Sequence, residues 1–308
     1  MEKINLLFTV VIPTHNRANL LKKAIKSVID QTISDWELII VDDGSTDDTR
    51  KVVNEFGDKR IQYFFQEKKE RSVARNVGIE KASGSYICFL DDDDFYLENH
   101  LACFNSFLTE KDFPNIILRS GYCKEFVDGE REKTTSYKAQ LHKNPVHFSA
   151  FSMCGVWSLC IPRKYLIEDK FPVDFPHWQD THLILRLLAK HPFHQIDAYT
   201  YIYRIHPQMG SIHHFTKSEF TMRMELNLQA IQDLFDNYNL SDFVPEDTAI
   251  FLLAEKQLQY AVSSIYVLDR KKSLSLLYKS LTQKISWRLW KLYAIYCVGF
   301  IYPPYLTR

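Results

Sequence analysis

Glycine is scarce in this chain, nine in 308 residues, and none follows the first apolar run. That run, Leu6 to Ile12, passes directly into Pro13-Thr14-His15-Asn16-Arg17. A glycine-rich turn that cradles a pyrophosphate on backbone N–H groups is therefore excluded where dinucleotide-binding folds carry it. Long apolar stretches are missing too. The stretch from Leu292 to Tyr302 ends after 11 residues at Pro303-Pro304, whereas a spanning helix needs about 20. The six cysteines sit mostly in apolar runs without metal-ligand spacing. They predict buried, reduced thiols and a cytosolic compartment. Leu6 to Ile12 is not followed by a cleavage site, so no secretory signal is expected. Neither an internal repeat nor a low-complexity linker is visible.

Net charge is zero, but unevenly spread. Eight Lys/Arg and no Asp/Glu lie between Arg270 and Arg308, which leaves −8 on residues 1–269 by difference. A basic, aromatic tail on an acidic body suits an anionic surface. The acidic body argues against nucleic acid as the partner. With 46% hydrophobic and 25% charged residues, the chain has ample material for a core.

Roughly the first 110 residues alternate strand and helix patterns. Leu6–Ile12 and Glu37–Val41 read as buried parallel strands, Ile61–Phe65 as a third and Tyr86–Leu90 as a fourth. Between them, Leu20 to Ile29 and Val73 to Ala82 show helical spacing, and a further helix is expected from about Thr46. This βαβαβαβ order predicts a Rossmann-like nucleotide-binding half. Short strands are expected at Ile116–Leu118, Trp157–Ile161 and Tyr199–Tyr203, and a helix from about Asp180 to Lys190. Beyond about residue 215 the pattern is helical, through Phe220, Met224, Leu228, Ile231, Leu234 and Phe235, and again over Ile250 to Ile265. These patterns divide the chain into a catalytic region, 1–215, and a helical one, 216–308.

Behind the fourth strand stand four aspartates, Asp91 to Asp94. Carboxylates at a strand C-terminus lie where open α/β sheets bind ligands, and a hard divalent cation with oxygen ligands neutralises such a run. Asp42-Asp43 ends the second strand in the same manner. Two acidic strand ends point to a metal–phosphate site. A solvated acidic loop, and a turn with a helix cap at Asp42-Asp43-Gly44-Ser45, would account for the same residues without chemistry.

Six segments in order resemble glycosyltransferase family 2, of the GT-A fold. They are Val11-Ile12-Pro13-Thr14-His15-Asn16-Arg17; Glu37 through Val41 with Asp42-Asp43-Gly44-Ser45-Thr46-Asp47; Ala74-Arg75-Asn76-Val77-Gly78; Phe89-Leu90-Asp91-Asp92-Asp93-Asp94; Gln179-Asp180; and Tyr203-Arg204-Ile205-His206. The resemblance covers about residues 7–210. It implies an α/β fold with a Rossmann-like half and a mixed central sheet, followed by a helical extension. It further implies transfer of a sugar from a nucleotide-sugar donor, a UDP-sugar in particular, to an acceptor hydroxyl with inversion.

Carried over residue by residue, the resemblance makes Pro13, Thr14, His15 and Arg17 the nucleobase loop. Many members have an aromatic side chain at the His15 position, where imidazole stacks more weakly. Asp43 corresponds to the carboxylate that accepts from the uracil ring N–H. Arg71 and Arg75 lie in the segment that faces the diphosphate; a charged surface helix is the alternative, chiefly for Arg71. Asp91, Asp92 and Asp93 match the Asp-x-Asp element. Asp93 is the implied ligand of Mn2+ or Mg2+, with Asp91 or Asp92 on the ribose or a metal-bound water. Strand alternation would put Asp91 and Asp93 on one side and Asp92 on the other; Asp94 is free to cap a helix near Leu97. Asp180 is the implied general base, in a chain that has Gln179-Asp180 where members usually have Glu-Asp. An acidic residue favoured by the helix dipole is the alternative there. His206 matches a late residue that touches metal or diphosphate, and His213 and His214 are weaker candidates. Trp157 and Trp178 either stack on sugar faces or pack in the core.

The tail Trp287-Arg288-Leu289-Trp290-Lys291-Leu292-Tyr293 fits a helix lying in a membrane interface, or else a core helix. The implied setting is bacterial polysaccharide assembly on a lipid-linked glycan, in the cytoplasm or on the inner membrane face. Nucleotidyl transfer and non-catalytic nucleotide-sugar binding remain the rival functions. The first would usually want a glycine-rich, lysine-bearing first loop, which is missing.

Overall fold

A computed structural model describes residues 6–134, 144–146, 155–209 and 216–246, with single positions at 149, 249, 252–253, 256 and 260. The chain forms two compact units, 1–209 and 210–308.

The first unit contains β1 (Phe8–Thr14), α1 (Ala18–Ile29), β2 (Trp36–Asp43), α2 (Thr49–Asn54), β3 (Ile61–Gln66), α3 (Arg71–Lys81), β4 (Tyr86–Phe89), β5 (Phe95–Tyr96) and α4 (His100–Glu110). It continues through β6 (Ile117–Glu125), β7 (Arg131–Lys133), β8 (Leu159–Pro162), α5 (Arg163–Glu168), α6 (Gln179–Lys190) and β9 (Phe193–Arg204). The strands form one mixed sheet in the order β3-β2-β1-β4-β8-β6-β9-β5, with β7 beside β6.

β1, β2, β3 and β4 run parallel; β1, β2 and β4 are buried throughout, as their apolar runs predict for strands covered on both faces. β8 is antiparallel to both β4 and β6, and β9 is parallel to β6. β9 therefore points the same way as β1, β2 and β4, and all four deliver their C-termini to one edge. That edge collects Thr14, Asp43, the acidic segment and Arg204 from four distant parts of the sequence. Helix packing is close behind it. A Cβ on Gly78 would lie 2.3 Å from Val11 Cγ1, so only glycine lets α3 settle on β1.

Several boundaries differ from the sequence patterns for physical reasons. β4 stops at Phe89, and Asp91–Asp94 form a turn closed by Asp94 N–H donating to Asp91 O at 3.1 Å. Helix α4 starts at His100 rather than Leu97, because the two-residue strand β5 comes first and pairs with Ile202 and Tyr201. α2 begins at Thr49, after a loop tied down by Asp47. β9 is longer than Tyr199–Tyr203: His194 and Gln195 break the apolar pattern yet pair with Leu118 and Arg119, and the register with β6 then shifts before Tyr199 pairs with Gly121. Trp157 lies in a short 3-10 turn before β8, 4% exposed, stacked on Tyr201 at 4.5 Å and edge-on to Tyr122 at 4.7 Å. Of its two alternatives, the core is the one observed. Cys88, Cys103, Cys123 and Cys160 are free thiols; Cys154 and Cys297 lie outside the described residues.

The second unit contains α7 (Lys217–Tyr238), opened by a capping box in which Thr216 and Glu219 satisfy each other's backbone N–H groups. Met224, Leu228, Ile231 and Leu234 are buried on one face, whereas Phe220 is 42% exposed. His213, His214, most of Ile250–Ile265 and the tail 285–308 lie outside the described residues. Among the described residues, no helix is long and apolar enough to cross a membrane.

One core residue gives the fold a pH dependence. His100 is fully buried, its Nδ1 2.7 Å from Thr200 Oγ1 and its ring stacked 3.8 Å from Tyr96. Burial drives its pKa down to about 3, against about 6.5 in an unfolded chain. Between these values the unfolded chain holds a proton that the folded chain refuses. This contribution to stability is complete above the unfolded value and is lost as pH falls toward the folded one. His100→Asn keeps a polar group near Thr200 without the titration. Its urea midpoint is expected to fall less steeply than wild type between about pH 7 and pH 4.5; parallel slopes would rule His100 out as the source.

Candidate active site

The site is built around strand ends. Asp43, the last residue of β2, is buried and precedes Gly44, whose φ is +80° and where a Cβ would lie 2.7 Å from Lys68 N, so that no side chain is admitted. The close approach lets the Asp43 carboxylate accept from Gln66 Nε2 at 2.6 Å, Lys69 N–H at 2.9 Å and Glu70 N–H at 3.0 Å. Neighbouring Asp42 accepts from Ser45 N–H at 2.8 Å and Tyr63 OH at 2.6 Å, which leaves it bracing β3 and the turn.

Each of the four consecutive aspartates has its own partners. Asp91 accepts from Arg75 Nη2 at 2.8 Å. Asp92 accepts from Thr14 Oγ1 at 2.8 Å and Arg17 Nη1 at 3.0 Å. Asp93 accepts from the same Arg17 nitrogen at 2.6 Å, and His206 Nε2 lies 3.5 Å from its Oδ2. Asp94 accepts from Tyr201 OH at 2.6 Å and Arg204 N–H at 2.8 Å. Asp94 is thus the clamp that fastens β9 to the acidic turn, not the cap of a later helix. Strand alternation does not decide these directions, because the residues form a turn; Arg17 bridges Asp92 and Asp93, which alternation would have separated.

The electrostatics follow from burial and these partners. Burial pushes Asp92 up to about 6, with the Asp93 charge adding to it and Arg17 opposing. Asp94 is driven well above the usual carboxylate range by burial and then by Asp93 and Asp91. Asp91 goes the other way. Burial raises it, but Arg75 and Arg71 outweigh that and hold it below the ordinary value. For Arg17 burial works against the charge, yet Asp92 and Asp93 more than compensate and raise its pKa. Burial, opposed by Asp93 and helped by Arg204 and Arg17, keeps His206 below its usual value and so neutral.

Arg75 is the hub. Its side chain is 0% exposed, and its two terminal nitrogens donate to Asp91 and to Asp180 Oδ1. Asp180 sits in the first turn of α6, raised in pKa by burial and the Asp91 charge against the pull of Arg75. Both helices that bring this pair together start after strained residues, Glu70 at φ 135° before α3 and Trp178 at φ 73° before α6. Such conformations cost about 1–3 kcal/mol each and persist only where the surroundings impose them. Here the Glu70 N–H is held by Asp43, so the strained residue is fixed from the strand end itself.

The model of Glycosyl transferase family 2 matches residues 9–156. Over 189 residues the chain is 32% identical to the UDP-Glc:alpha-D-GlcNAc-diphosphoundecaprenol beta-1,3-glucosyltransferase of Escherichia coli, covering 59% of this chain and 70% of that protein. The chain belongs to glycosyltransferase family 2. It spans only 15%, 31% and 18% of three family relatives from Rickettsia species. Among solved structures, S. aureus TarS 1–349 in complex with UDP-GlcNAc aligns with a TM-score of 0.63 at 16% identity, covering 85% of this chain and 73% of that one. The mannosyltransferase PcManGT from Pyrobaculum calidifontis, in complex with GDP-Man and Mn2+, aligns at 0.56 with 15% identity, covering 96% and 87%. At these identities the likeness speaks for the fold, which is GT-A.

Against the family expectation, the structure brings Thr14, Arg17, Asp92, Asp93 and His206 into one cluster and Arg75, Asp91 and Asp180 into another. Pro13 is buried within β1, opposite Val41. His15 lies in the loop after β1, its Nε2 3.3 Å from Asn16. Arg75 faces two carboxylates rather than open space. The Arg71 side chain, by contrast, has no hydrogen bond or ion pair among the described residues. Burial opposes its charge, but Asp91, Asp180, Asp92 and Asp93 together raise its pKa. Two sets of contacts join residues far apart in the sequence. Tyr201 and the Arg204 N–H hold Asp94 across 107 and 110 residues. The Asn76 amide holds both the N–H and the C=O of Phe171, at 2.9 and 3.0 Å. Phe171 in turn packs edge-on against Phe89 at 5.3 Å.

Proposed function

We propose that this chain is an inverting, metal-dependent glycosyltransferase that moves a sugar from a UDP-sugar to a hydroxyl of a lipid-linked glycan in bacterial surface polysaccharide assembly. The observation that carries the proposal is the placement of Asp180 on Arg75 and Asp91 at the edge where four strand ends converge. One carboxylate above a cationic, acid-lined floor is the arrangement that such a displacement needs. The E. coli relative named above uses UDP-Glc and a diphosphoundecaprenol-linked acceptor, which supports the donor and acceptor class.

The residues present fit a divalent ion. Asp93 Oδ2 and His206 Nε2 converge, and that buried Nε2 has no hydrogen-bond partner among the described residues. Carboxylate oxygens of Asp91, Asp93 and Asp94 lie within 4.8 Å of one another. Asp94 is already engaged by Tyr201 and Arg204, so Asp93 and His206 would hold Mn2+ or Mg2+. When bound, the ion supplies Lewis-acid neutralisation of the leaving diphosphate. Asp43 accepts from the uracil N–H, with Pro13, Thr14 and His15 shaping the base loop. Asp91 and Asp92 face the ribose side, and the guanidinium of Arg71, unpaired among the described residues, reaches the diphosphate. Asp180 takes the acceptor hydroxyl proton as the oxygen bonds to the anomeric carbon. The bond from that carbon to the phosphate oxygen breaks, and UDP departs. With a base and no covalent sugar–protein intermediate, the product is inverted.

Thermal shift and UDP-release assays with UDP-sugars and GDP-mannose, each with Mn2+, Mg2+ or chelator, test this. A UDP-sugar is expected to raise the melting temperature and to be turned over only with metal. Stabilisation by no nucleotide sugar, or turnover indifferent to chelation, would sink the proposal. The basic tail adds peripheral contact with the inner membrane face. Deleting residues 285–308 is expected to release the protein from anionic vesicles, and unchanged partitioning would remove that part.

A further inference from the structure

We propose that Arg17 is a resident counter-cation of the acidic turn, so that the divalent ion enters with the nucleoside diphosphate rather than ahead of it. The inference rests on Asp93 and His206 as the ion's ligands. Arg17 Nη1 lies 2.6 Å from Asp93 Oδ2 and 3.0 Å from Asp92 Oδ1, and Nη2 donates to Gln208 O at 3.1 Å. Asp93 Oδ2 is also the oxygen that His206 Nε2 approaches at 3.5 Å. An ion held by that oxygen and that nitrogen must therefore share the carboxylate with a guanidinium.

Two cations against one oxygen repel, and little water is present to screen them. The Arg17, Asp93 and His206 side chains are 20%, 13% and 11% exposed, and charges interact more strongly as the effective dielectric falls. An ion arriving alone would have to take Asp93 from Arg17 and sit beside the guanidinium charge, with Asp92 the one carboxylate left to Arg17. A diphosphate reverses the balance. It brings several negative charges, coordinates the ion, and offers oxygens that fit the guanidinium fork. Arg17 then exchanges Asp93 for phosphate. The exchange is local, because Gln208 and His206 share one turn, closed by Met209 N–H donating to His206 O at 3.1 Å. Release of Arg17 from Gln208 and engagement of His206 therefore fall on the same short segment.

Mn2+ binding, followed by loss of the free-ion electron paramagnetic resonance signal, reads this without turnover. Mn2+ is titrated into wild type, Arg17→Gln and Arg17→Met, each alone and with UDP. Both substitutions are expected to tighten binding of Mn2+ alone by about tenfold or more, within the usual range of site coupling, and to shrink the enhancement that UDP gives. Arg17→Gln/Asp93→Asn is expected to lose the gain, which locates it at Asp93. If the single variants bind Mn2+ alone no more tightly than wild type, while all bind it with UDP, the resident-cation role is overturned and the metal site stands. If no form binds Mn2+ even with UDP, the metal site itself fails and Arg17 with it.

Discussion

Asp180→Asn is expected to lower turnover by about 10²–10⁴-fold, the range that general-base catalysis contributes, while UDP-sugar binding stays within a small factor of wild type. The amide keeps the shape and can still accept from Arg75, so the fold around α6 survives. What it loses is the capacity to take a proton from the acceptor. The surroundings of Asp180 also set a pH signature. Burial and Asp91 raise its pKa, and Arg75 restrains the rise. The base works only when ionised, so activity should fall as pH drops through that raised value, which lies above that of an unperturbed aspartate. Turnover and donor affinity measured together distinguish the rival functions. Unchanged turnover would remove Asp180 as the base, and a protein that binds UDP-sugars without turnover in wild type would be a binding module.

In the parallel half of the sheet, β1, β2 and β4 were legible because they are covered on both faces and their apolar runs are unbroken. Val10, Val11 and Ile12 in β1 and Leu38 to Val41 in β2 are all fully buried. A strand of that kind announces itself locally, and so did the acidic turn at its end. β9 did not, because it lies partly toward the surface and its alternation is broken by His194, Gln195 and Asp197. The division of labour among the aspartates was hidden for a different reason. Thr14 meets Asp92 across 78 residues, Tyr201 meets Asp94 across 107, and Arg75 meets Asp180 across 105. Nothing local states those distances; they follow from the direction of β9 and the placement of α6. Family resemblance named candidate residues, whereas only the assembled sheet shows which carboxylates are already engaged and which cation has no ion pair among the described residues.

Arg75→Leu is expected to destabilise the protein by about 3 kcal/mol and to abolish activity. The side chain is wholly buried, and removing one partner of a buried ion pair costs about 3–5 kcal/mol because the remaining charge is left uncompensated. Asp91 and Asp180 keep 21% and 26% of their side-chain surface, so water screens part of the loss and the lower end applies. For a unit of this size that amounts to a fall of about 6–12 °C in melting temperature. The same change leaves two carboxylates without their shared cation, which raises the pKa of Asp180 further and lowers the fraction of base that is ionised. Arg75→Lys should recover only part of either effect, since an ammonium is a point charge and cannot fork between two acids. A double-mutant cycle settles whether the hub acts through the base. If Arg75 and Asp180 are coupled, Arg75→Leu/Asp180→Asn loses less stability than the two single changes added together, because the second substitution removes one of the stranded charges. Strict additivity, with Arg75→Leu melting near wild type, would mean that the guanidinium does not hold Asp180 in place.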